Sequence, residues 1–201
     1  MLNQIADFIN SKVSSANAVA TTPEKGDGFV TVKAESILEV ANALKTSSEF
    51  EMNVLQVITG TDYPATSEIE LTYILASFTK NLELLLKVRL PRGDKNNLPK
   101  INSVVSVWRA ANYQEREAFD MIGVTFVGHP DHRRILTPDD WDGHPLRKDY
   151  VVQEVYRGMV VNPAHKVNTE DHFFGKKLKE TMDPKKVVNS WKSDDDASAE
   201  A

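Results

Sequence analysis

The stretch LELLLKVRL, residues 82–90, places apolar and charged side chains at alternating positions. Successive side chains of a β-strand point to opposite faces, so one face of this segment would be apolar and the other charged. The apolar face holds Leu82, Leu84, Leu86, Val88 and Leu90, the other face holds Glu83, Lys87 and Arg89, and Leu85 is the one apolar exception. This pattern predicts a half-buried antiparallel strand.

Two further strands are predicted immediately before this segment, over residues 54–61 and 68–78. The first is β-branched and ends at Gly60, and the second alternates in part. Lys80-Asn81 would form a tight hairpin turn between the second strand and residues 82–90. The sequence therefore predicts three consecutive strands, which end at a polar loop over residues 91–100.

Helical periodicity precedes these strands. Apolar residues recur at helical spacing over residues 2–13, and again over residues 37–45, where Ser36 and Glu39 form the capping-box pattern S-x-x-E. A short strand is predicted over residues 29–33, after a loop over residues 16–27. The order predicts an α+β fold, in which a mixed or antiparallel sheet of about four strands carries helices on one face.

A second helical region is predicted over residues 103–122. Gly123 is suited to end it in a left-handed conformation, and a break near residues 110–112 would let Asn112 cap a new helix. Residues 124–127 form a possible short strand. After them, the sequence predicts an irregular charged loop region and an extended C-terminal arm. We therefore predict two parts, an α+β domain over residues 1–150 and a partner-binding arm with an acidic disordered tail over residues 151–201.

Composition excludes several classes of function. The chain has 201 residues and no cysteine, which excludes a disulfide framework, a thiol nucleophile and a cysteine-ligated iron–sulfur cluster. Its formal net charge is −5 and it has no basic block, so nucleic-acid binding is not expected. No run approaches the roughly 20 apolar residues that span a bilayer, and the N-terminus lacks a basic leader.

The segment EREAFDMIGVTFVGHPDHRRILTPDDWDGHPLRKDY, residues 115–150, is dense in charge and has few apolar groups. Such side chains must be solvated, paired with each other or paired with a partner. One interpretation is a metal site, because His129 and His132 form an H-x-x-H pair with Asp131, Asp139 and Asp140 nearby. The chain would then be an autonomous metal-dependent hydrolase. Pro130 inside the pair argues against a helix, and the histidines can instead bond backbone groups at turns.

Two other interpretations remain. Glu115, Glu117, Asp120 or the histidines could serve acid–base catalysis, although such a set is more often a solvated helical face. Alternatively, the segment recognises a larger assembly, because aromatic and arginine anchors are enriched at protein interfaces. No nucleophile elbow, P-loop or dinucleotide-binding glycine pattern occurs in the sequence.

A resemblance to a known family rests on this segment. The run EREAFDMI is followed after six residues by His129, after three more by Arg133, and after one more by Ile135-Leu136. This spacing resembles the signature of the 30 kDa subunit family of respiratory complex I, which is NADH-quinone oxidoreductase. The block DDWDGHPLRKDY, residues 139–150, resembles the same family. The signature positions are Glu115, Arg116, Glu117, Asp120, His129, Arg133, Arg147, Lys148 and Asp149.

The resemblance implies a subunit of the hydrophilic peripheral arm, on the cytoplasmic side of the bacterial inner membrane. It implies no catalytic residue, cofactor or metal in this chain; iron–sulfur clusters, FMN and quinone would be held by partner subunits. The expected partners are the hydrogenase-large-subunit-like subunit of the quinone cavity and the subunit with the terminal iron–sulfur cluster. Related membrane-bound hydrogenases and dehydrogenases carry a similar domain and are the alternative host.

From these expectations we predict an internal lattice of charges whose unpaired members reach a partner. Arg116 and Arg133 are the expected carboxylate holders, because guanidinium groups form bidentate pairs. Asp120 and Glu117 would order the loop through backbone N–H groups and arginines. The signature residues are thus expected to be structural or interface residues, and no role is assigned to His144.

Overall fold

The computed structural model describes residues 1–94 and 97–161. The chain separates into two units, Met1–Val151 and Val152–Ala201. The predicted acidic tail, and most of the predicted arm, lie outside the described residues. The described part of the second unit contains two short antiparallel strands, which are given below.

The first unit is built on a five-stranded mixed sheet, which confirms the predicted fold class. Its strands are β1 (Val19–Thr21), β2 (Phe29–Val32), β3 (Val54–Tyr63), β4 (Glu68–Ser77) and β5 (Leu82–Pro91). Their spatial order is β1-β2-β5-β4-β3. Only β2 and β5 pair in parallel, and the other neighbours are antiparallel. The three long strands that the sequence predicted therefore form one continuous antiparallel block.

Three helices and two smaller sheets complete the described chain. The helices are α1 (Leu2–Lys12), α2 (Ile37–Thr46) and α3 (Ala111–Ile122), and single 3₁₀ turns lie at Ser14–Ala16 and Ala34–Ser36. Parallel strands β6 (Lys100–Asn102) and β7 (Thr125–Val127) form the second sheet, and antiparallel strands β8 (Val155–Tyr156) and β9 (Met159–Val160) form the third. Gly123 ends α3 with φ 81, as predicted.

One face of the main sheet carries an apolar row across four adjacent strands. Ile58, Tyr73, Leu86 and Val30 are in register on these strands, and all four side chains are buried. Apolar residues of the three helices pack into the same core. Burying one large apolar side chain contributes about 1.5–3 kcal/mol. The alternation in residues 82–90 therefore indicates directly which face of the sheet packs on the core.

Several element boundaries differ from those predicted from the sequence. Strand β1 lies in a predicted loop and β6 was not predicted, because three-residue strands are too short to show alternation. Helix α3 begins at Ala111 rather than residue 103, and Asn112 lies inside it. The capping box does not form, because Ser36 closes a 3₁₀ turn and its Oγ contacts Ser15 Oγ at 2.9 Å.

Candidate functional site

Asp120 lies at the centre of the charged loop, which we define as residues 128–150. Its fully buried carboxylate accepts hydrogen bonds from the backbone N–H groups of Ile135, Leu136 and Thr137 at 3.1, 2.7 and 2.8 Å. The Thr137 hydroxyl also donates to it. One side chain of α3 thus fixes three consecutive amides of the loop.

Arg134 provides the charge that balances Asp120. Its guanidinium lies 2.7 Å from the Asp120 carboxylate and donates to the carbonyls of Trp141 and Gly143, each at 3.1 Å. Burial by itself raises the pKa of Asp120, but the hydrogen bonds from Thr137, Leu136 and Arg134 outweigh burial and lower this pKa to about 2. Asp120 is therefore ionised at neutral pH.

A second buried carboxylate ties the end of the charged loop to the main sheet. Asp62, at the end of β3, accepts two hydrogen bonds from Arg92, at 2.7 and 2.9 Å, and one from the backbone N–H of Lys148 at 2.8 Å. Arg92 also pairs with Asp149 at 2.7 Å. The hydrogen bond from Arg92 is the main cause that lowers the pKa of Asp62.

Arg147 strengthens this second attachment from the loop side. Its buried guanidinium donates to the backbone carbonyls of Arg92 and Gly93. Its Nε has no hydrogen-bond partner among the described residues. Arg147 thus supports the chain after β5 by bonding its backbone.

Glu115 is the third buried carboxylate. It accepts hydrogen bonds from Ser103 Oγ at 2.6 Å and from the backbone N–H of Val104 at 2.7 Å. Burial raises the pKa of Glu115 to about 7, against the opposing effect of these two hydrogen bonds. The buried hydroxyl of Tyr73 has no partner in the described chain, and burial together with the Glu115 charge raises its pKa.

Arg116 and Arg133 occupy very different places. Arg116 is buried, donates to the carbonyls of Arg133 and Arg134 at 3.2 and 3.3 Å, and lies 3.4 Å from Asp131. The side chain of Arg133 is 68% exposed and pairs only with Asp131 within the described residues. Arg133 thus holds a carboxylate, but an exposed one. The buried carboxylate of Asp120 is held by its neighbour Arg134.

Glu117 also departs from its expected position. It lies on the exposed side of α3 and has no hydrogen bond or ion pair within the described part of the chain. A carboxylate on this side of the helix points away from the loop amides, so it does not order them. Lys148 has an exposed side chain as well, and contacts Asp62 only through its backbone. Glu117, Arg133 and Lys148 are therefore all exposed.

The histidines bond to backbone groups. His129 Nδ1 accepts from the backbone N–H of Asp131 at 3.0 Å, and its Nε2 lies 3.0 Å from the carbonyl of Asn112. His132 Nε2 accepts from the N–H of Phe126 at 3.1 Å. Within residues 1–94 and 97–161, no three His, Asp or Glu side chains are grouped as metal ligands. Asp139 and Asp140 do not join the two rings in such a group.

His144 is a buried residue that the sequence analysis left without a role. Its Nδ1 lies 2.9 Å from the carbonyl of Asp120, at the end of α3. Burial lowers the pKa of His144, so the neutral ring donates to this carbonyl. A Cβ at Gly123 would lie 2.5 Å from the His144 ring. Gly123 is therefore needed both for its positive φ and for the close approach of His144.

Sequence reasoning also missed Asp62, Arg92 and Arg134. The Asp62–Arg92 pair joins residues 30 positions apart at the ends of two strands, and no local pattern indicates such a pair. Arg134 follows another arginine, and spacing alone does not show which of the two turns inward. The outer surface of the loop presents Leu136 and Leu146, which are 62% and 58% exposed.

No helix in the part of the chain that the structure describes is long and apolar enough to cross a bilayer. Residues 30–156 match the family described as "Respiratory-chain NADH dehydrogenase, 30 Kd subunit". The match includes the main sheet from Val30 in β2 onward and the whole charged loop. It therefore includes the buried carboxylates of Asp62, Glu115 and Asp120.

Curated relatives agree with this match. The C subunit of NADH-quinone oxidoreductase from Roseiflexus sp. (strain RS-1) is 44% identical over 126 residues, which are 62% of this chain and 70% of that protein. The corresponding protein of Chlorobium phaeobacteroides (strain DSM 266 / SMG 266 / 2430) is 36% identical over 156 residues, which are 77% of this chain and 92% of that protein.

A solved structure has a similar fold. A chain of the membrane-bound sulfane sulfur reductase (MBS), an archaeal respiratory membrane complex, superposes with a TM-score of 0.61 at 26% identity, over 74% of this chain and 85% of that chain. The family match covers more than half of the chain. The chain therefore belongs to the 30 kDa subunit family of respiratory-chain NADH dehydrogenase, and it is a subunit of NADH-quinone oxidoreductase, a multi-subunit respiratory enzyme complex.

Proposed function

We propose that this chain is a non-catalytic, cofactor-free scaffold of the peripheral arm, and that the outer surface of the charged loop docks on neighbouring subunits. The observation that carries the proposal is that buried carboxylates bond to the backbone of loops within this chain. Asp120 and Asp62 accept hydrogen bonds from backbone N–H groups of the charged loop, and Glu115 accepts one from Val104 in the segment before α3. These contacts lie within the chain, so they order the charged loop before any partner binds, which reduces the entropy lost on association.

Several exposed residues on or near the charged loop suit a docking surface. Glu117, Arg133 and Lys148 are exposed and mix both signs of charge. Leu136 and Leu146 of the charged loop add exposed apolar area. Interfaces combine apolar anchors with a polar rim, and rim charges act chiefly on association rate and on choice of partner.

The proposed partners are the hydrogenase-large-subunit-like subunit of the quinone cavity and the subunit with the terminal iron–sulfur cluster. Attachment to them would hold the chain on the cytoplasmic side of the bacterial inner membrane. The iron–sulfur clusters, FMN and quinone would be bound by those and other partner subunits. The likeness to a chain of an archaeal sulfane sulfur reductase complex favours the same scaffold role in a related host as the second candidate.

The histidine geometry supports a chain without its own metal centre. Three of the four ring nitrogens of His129 and His132 already bond to backbone groups, those of Asn112, Asp131 and Phe126. Elemental analysis of the purified full chain tests this part of the proposal. We expect folded protein with no stoichiometric metal, and stoichiometric zinc or iron would contradict it.

Charge reversal on the docking surface tests the scaffold role. The double variant Glu117→Lys/Arg133→Glu alters two exposed residues, so the fold should be retained. We expect less assembled complex on blue-native gels and unchanged quinone reduction per assembled complex. The matched control is Glu24→Lys, an exposed acidic residue outside the loop. Normal assembly with lost quinone reduction would contradict the proposal and favour a catalytic role.

Mass spectrometry of the subunits that co-purify with the full chain identifies its host. NADH-oxidising and quinone-site subunits are expected. A set of hydrogenase or sulfur reductase subunits would favour the second candidate.

A further inference from the structure

A groove lies where the parallel pairing of β2 and β5 ends. The last residue pair of this ladder is Val32 with Val88. Beyond it, β2 gives way to the 3₁₀ turn at Ala34–Ser36, whereas β5 continues to Pro91 beside β4. The two chains separate there and leave a groove of about 890 Å³.

Strand edges border this groove. The end of β5, Arg89 to Pro91, pairs with β4 on one side and with no described strand on the other. On the far side of the groove lies β6, whose only described partner is β7. Unpaired strand edges are templates for an added extended segment. The groove therefore has the form of a site for an extended polypeptide.

The lining of the groove combines apolar residues with more basic than acidic residues. The apolar residues Val32, Leu90 and Ile101 are buried. The charged residues that line it are Lys33, Glu35, Arg89 and Lys100. Arg89 already pairs with Glu68 and Glu70, but the exposed Lys33 and Lys100 have no acidic partner in the described chain.

We propose that this groove binds an extended, acidic segment of a neighbouring subunit of the respiratory complex. The segment adds to the open edge of β5, places its apolar side chains on Val32 and Leu90, and pairs its carboxylates with Lys33 and Lys100. Charge complementarity selects the acidic segment, and the open edge selects an extended conformation. This inference rests on the proposed scaffold role and adds a second contact, separate from the charged loop.

Site-specific photo-cross-linking in the assembled complex tests the occupant. Asn102 lines the groove and is partly exposed, so a photoreactive side chain at this position lies beside the proposed segment. We expect cross-links to one stretch of a neighbouring subunit that contains several Asp or Glu residues. Cross-links to a segment without acidic residues, to this chain itself, or to no protein would overturn the proposal.

Charge reversal then tests the role of the two lysines. Lys33→Glu/Lys100→Glu should lower the yield of this cross-link by about two- to fivefold per lysine, as expected for exposed ion pairs. The matched control, Lys25→Glu/Lys80→Glu, reverses two exposed lysines that do not line the groove and should leave the yield unchanged. An equal loss in both variants, or no loss in either, would contradict the proposal.

The failure of this inference differs from a failure of the scaffold role. If the groove variant cross-links normally while Glu117→Lys/Arg133→Glu blocks assembly, the groove inference falls and the scaffold role stands. If the charged-loop variant assembles normally while the groove variant loses its cross-link, docking through the charged loop falls and the groove contact stands. If both variants behave as wild type, both proposals fall.

Discussion

In the main sheet, Ile58, Tyr73, Leu86 and Val30 form a continuous buried row across four strands. The charged loop has no such row. Its order comes from Asp120 and Asp62, two carboxylates that lie outside the loop and accept its backbone N–H groups. Apolar contact thus builds the sheet, and directional polar contact shapes the loop. The comparison shows that a charge-dense segment can be ordered by buried carboxylates that bond to its backbone.

The largest expected effect comes from removing the Asp120 carboxylate. Asp120→Ala leaves the buried charge of Arg134 without its partner and the amides of residues 135–137 without their acceptor. We expect it to lower the free energy of unfolding by about 3–5 kcal/mol. Urea denaturation of the full chain measures this loss. The control is Asp139→Ala, an exposed aspartate of the same loop, expected within about 0.5 kcal/mol of wild type. Equal effects of the two variants would show that the loop does not depend on Asp120.

A cavity in the sheet provides the contrasting case. Leu86→Ala removes a buried side chain from the centre of the apolar row and should cost about 2–5 kcal/mol. Because the loop is held by carboxylates, its amides should keep their local protection while global stability falls. Hydrogen exchange of the charged loop in this variant checks the point. If the loop amides exchanged faster than other amides in Leu86→Ala, the order of the loop would depend on the core rather than on Asp120.

The pH dependence of the free energy of unfolding should distinguish Glu115 from Asp120. The pKa of Glu115 is raised to about 7 from an ordinary value of 4.5, so the folded state holds a proton that the unfolded state releases. Stability should therefore fall as pH rises from about 4.5 to about 7, by about 1–3 kcal/mol, and then level off. Urea denaturation across this range should show the slope, and Glu115→Gln should remove it.

For Asp120, stability should change with pH in the opposite direction, and at lower pH. Its pKa is lowered to about 2, so its contribution is fully present above the unfolded value near 4 and is lost as pH falls through 2. Between pH 2 and 4, the free energy of unfolding should change less with pH in Asp120→Asn than in wild type. An unchanged slope would show that Asp120 is not held ionised by its donors.

The smallest expected effect is the difference in stability between lysine variants of two adjacent arginines. Arg134→Lys keeps the charge but loses the fork that joins Asp120 to the carbonyls of Trp141 and Gly143, and should cost about 1–2 kcal/mol. Arg133→Lys changes an exposed pair and should cost less than about 0.5 kcal/mol. Denaturation of both variants under one condition makes the comparison. A larger loss at Arg133 would reverse the assignment of the two residues.

The sheet was more predictable than the charged loop for a physical reason. Alternation in residues 82–90 follows from burial of one face, and burial leaves a periodic trace in sequence. The three-residue strands β1 and β6 span less than one full alternation and left no such trace. At Ser36, a preceding 3₁₀ turn removed the cap geometry that the S-x-x-E pattern normally indicates.

The sequence predicted that the loop would be held by charged groups, but not which of its side chains turn inward. Density of charge indicated a lattice, and Asp120 was expected to order the loop. Which of Arg133 and Arg134 turns inward depends on the path of the backbone, which sequence spacing does not encode. Asp62 and Arg92 meet only because β3 and β5 flank β4 in the sheet.

Native-state hydrogen exchange of residues 135–137 in the isolated full chain tests the central claim most directly, because that claim is that buried carboxylates order the charged loop before any partner binds. We expect protected amides in wild type and in Arg133→Ala, and fast exchange in Asp120→Asn. Fast exchange of these amides in the wild-type chain would show that the loop is ordered only inside the complex, and would contradict the account.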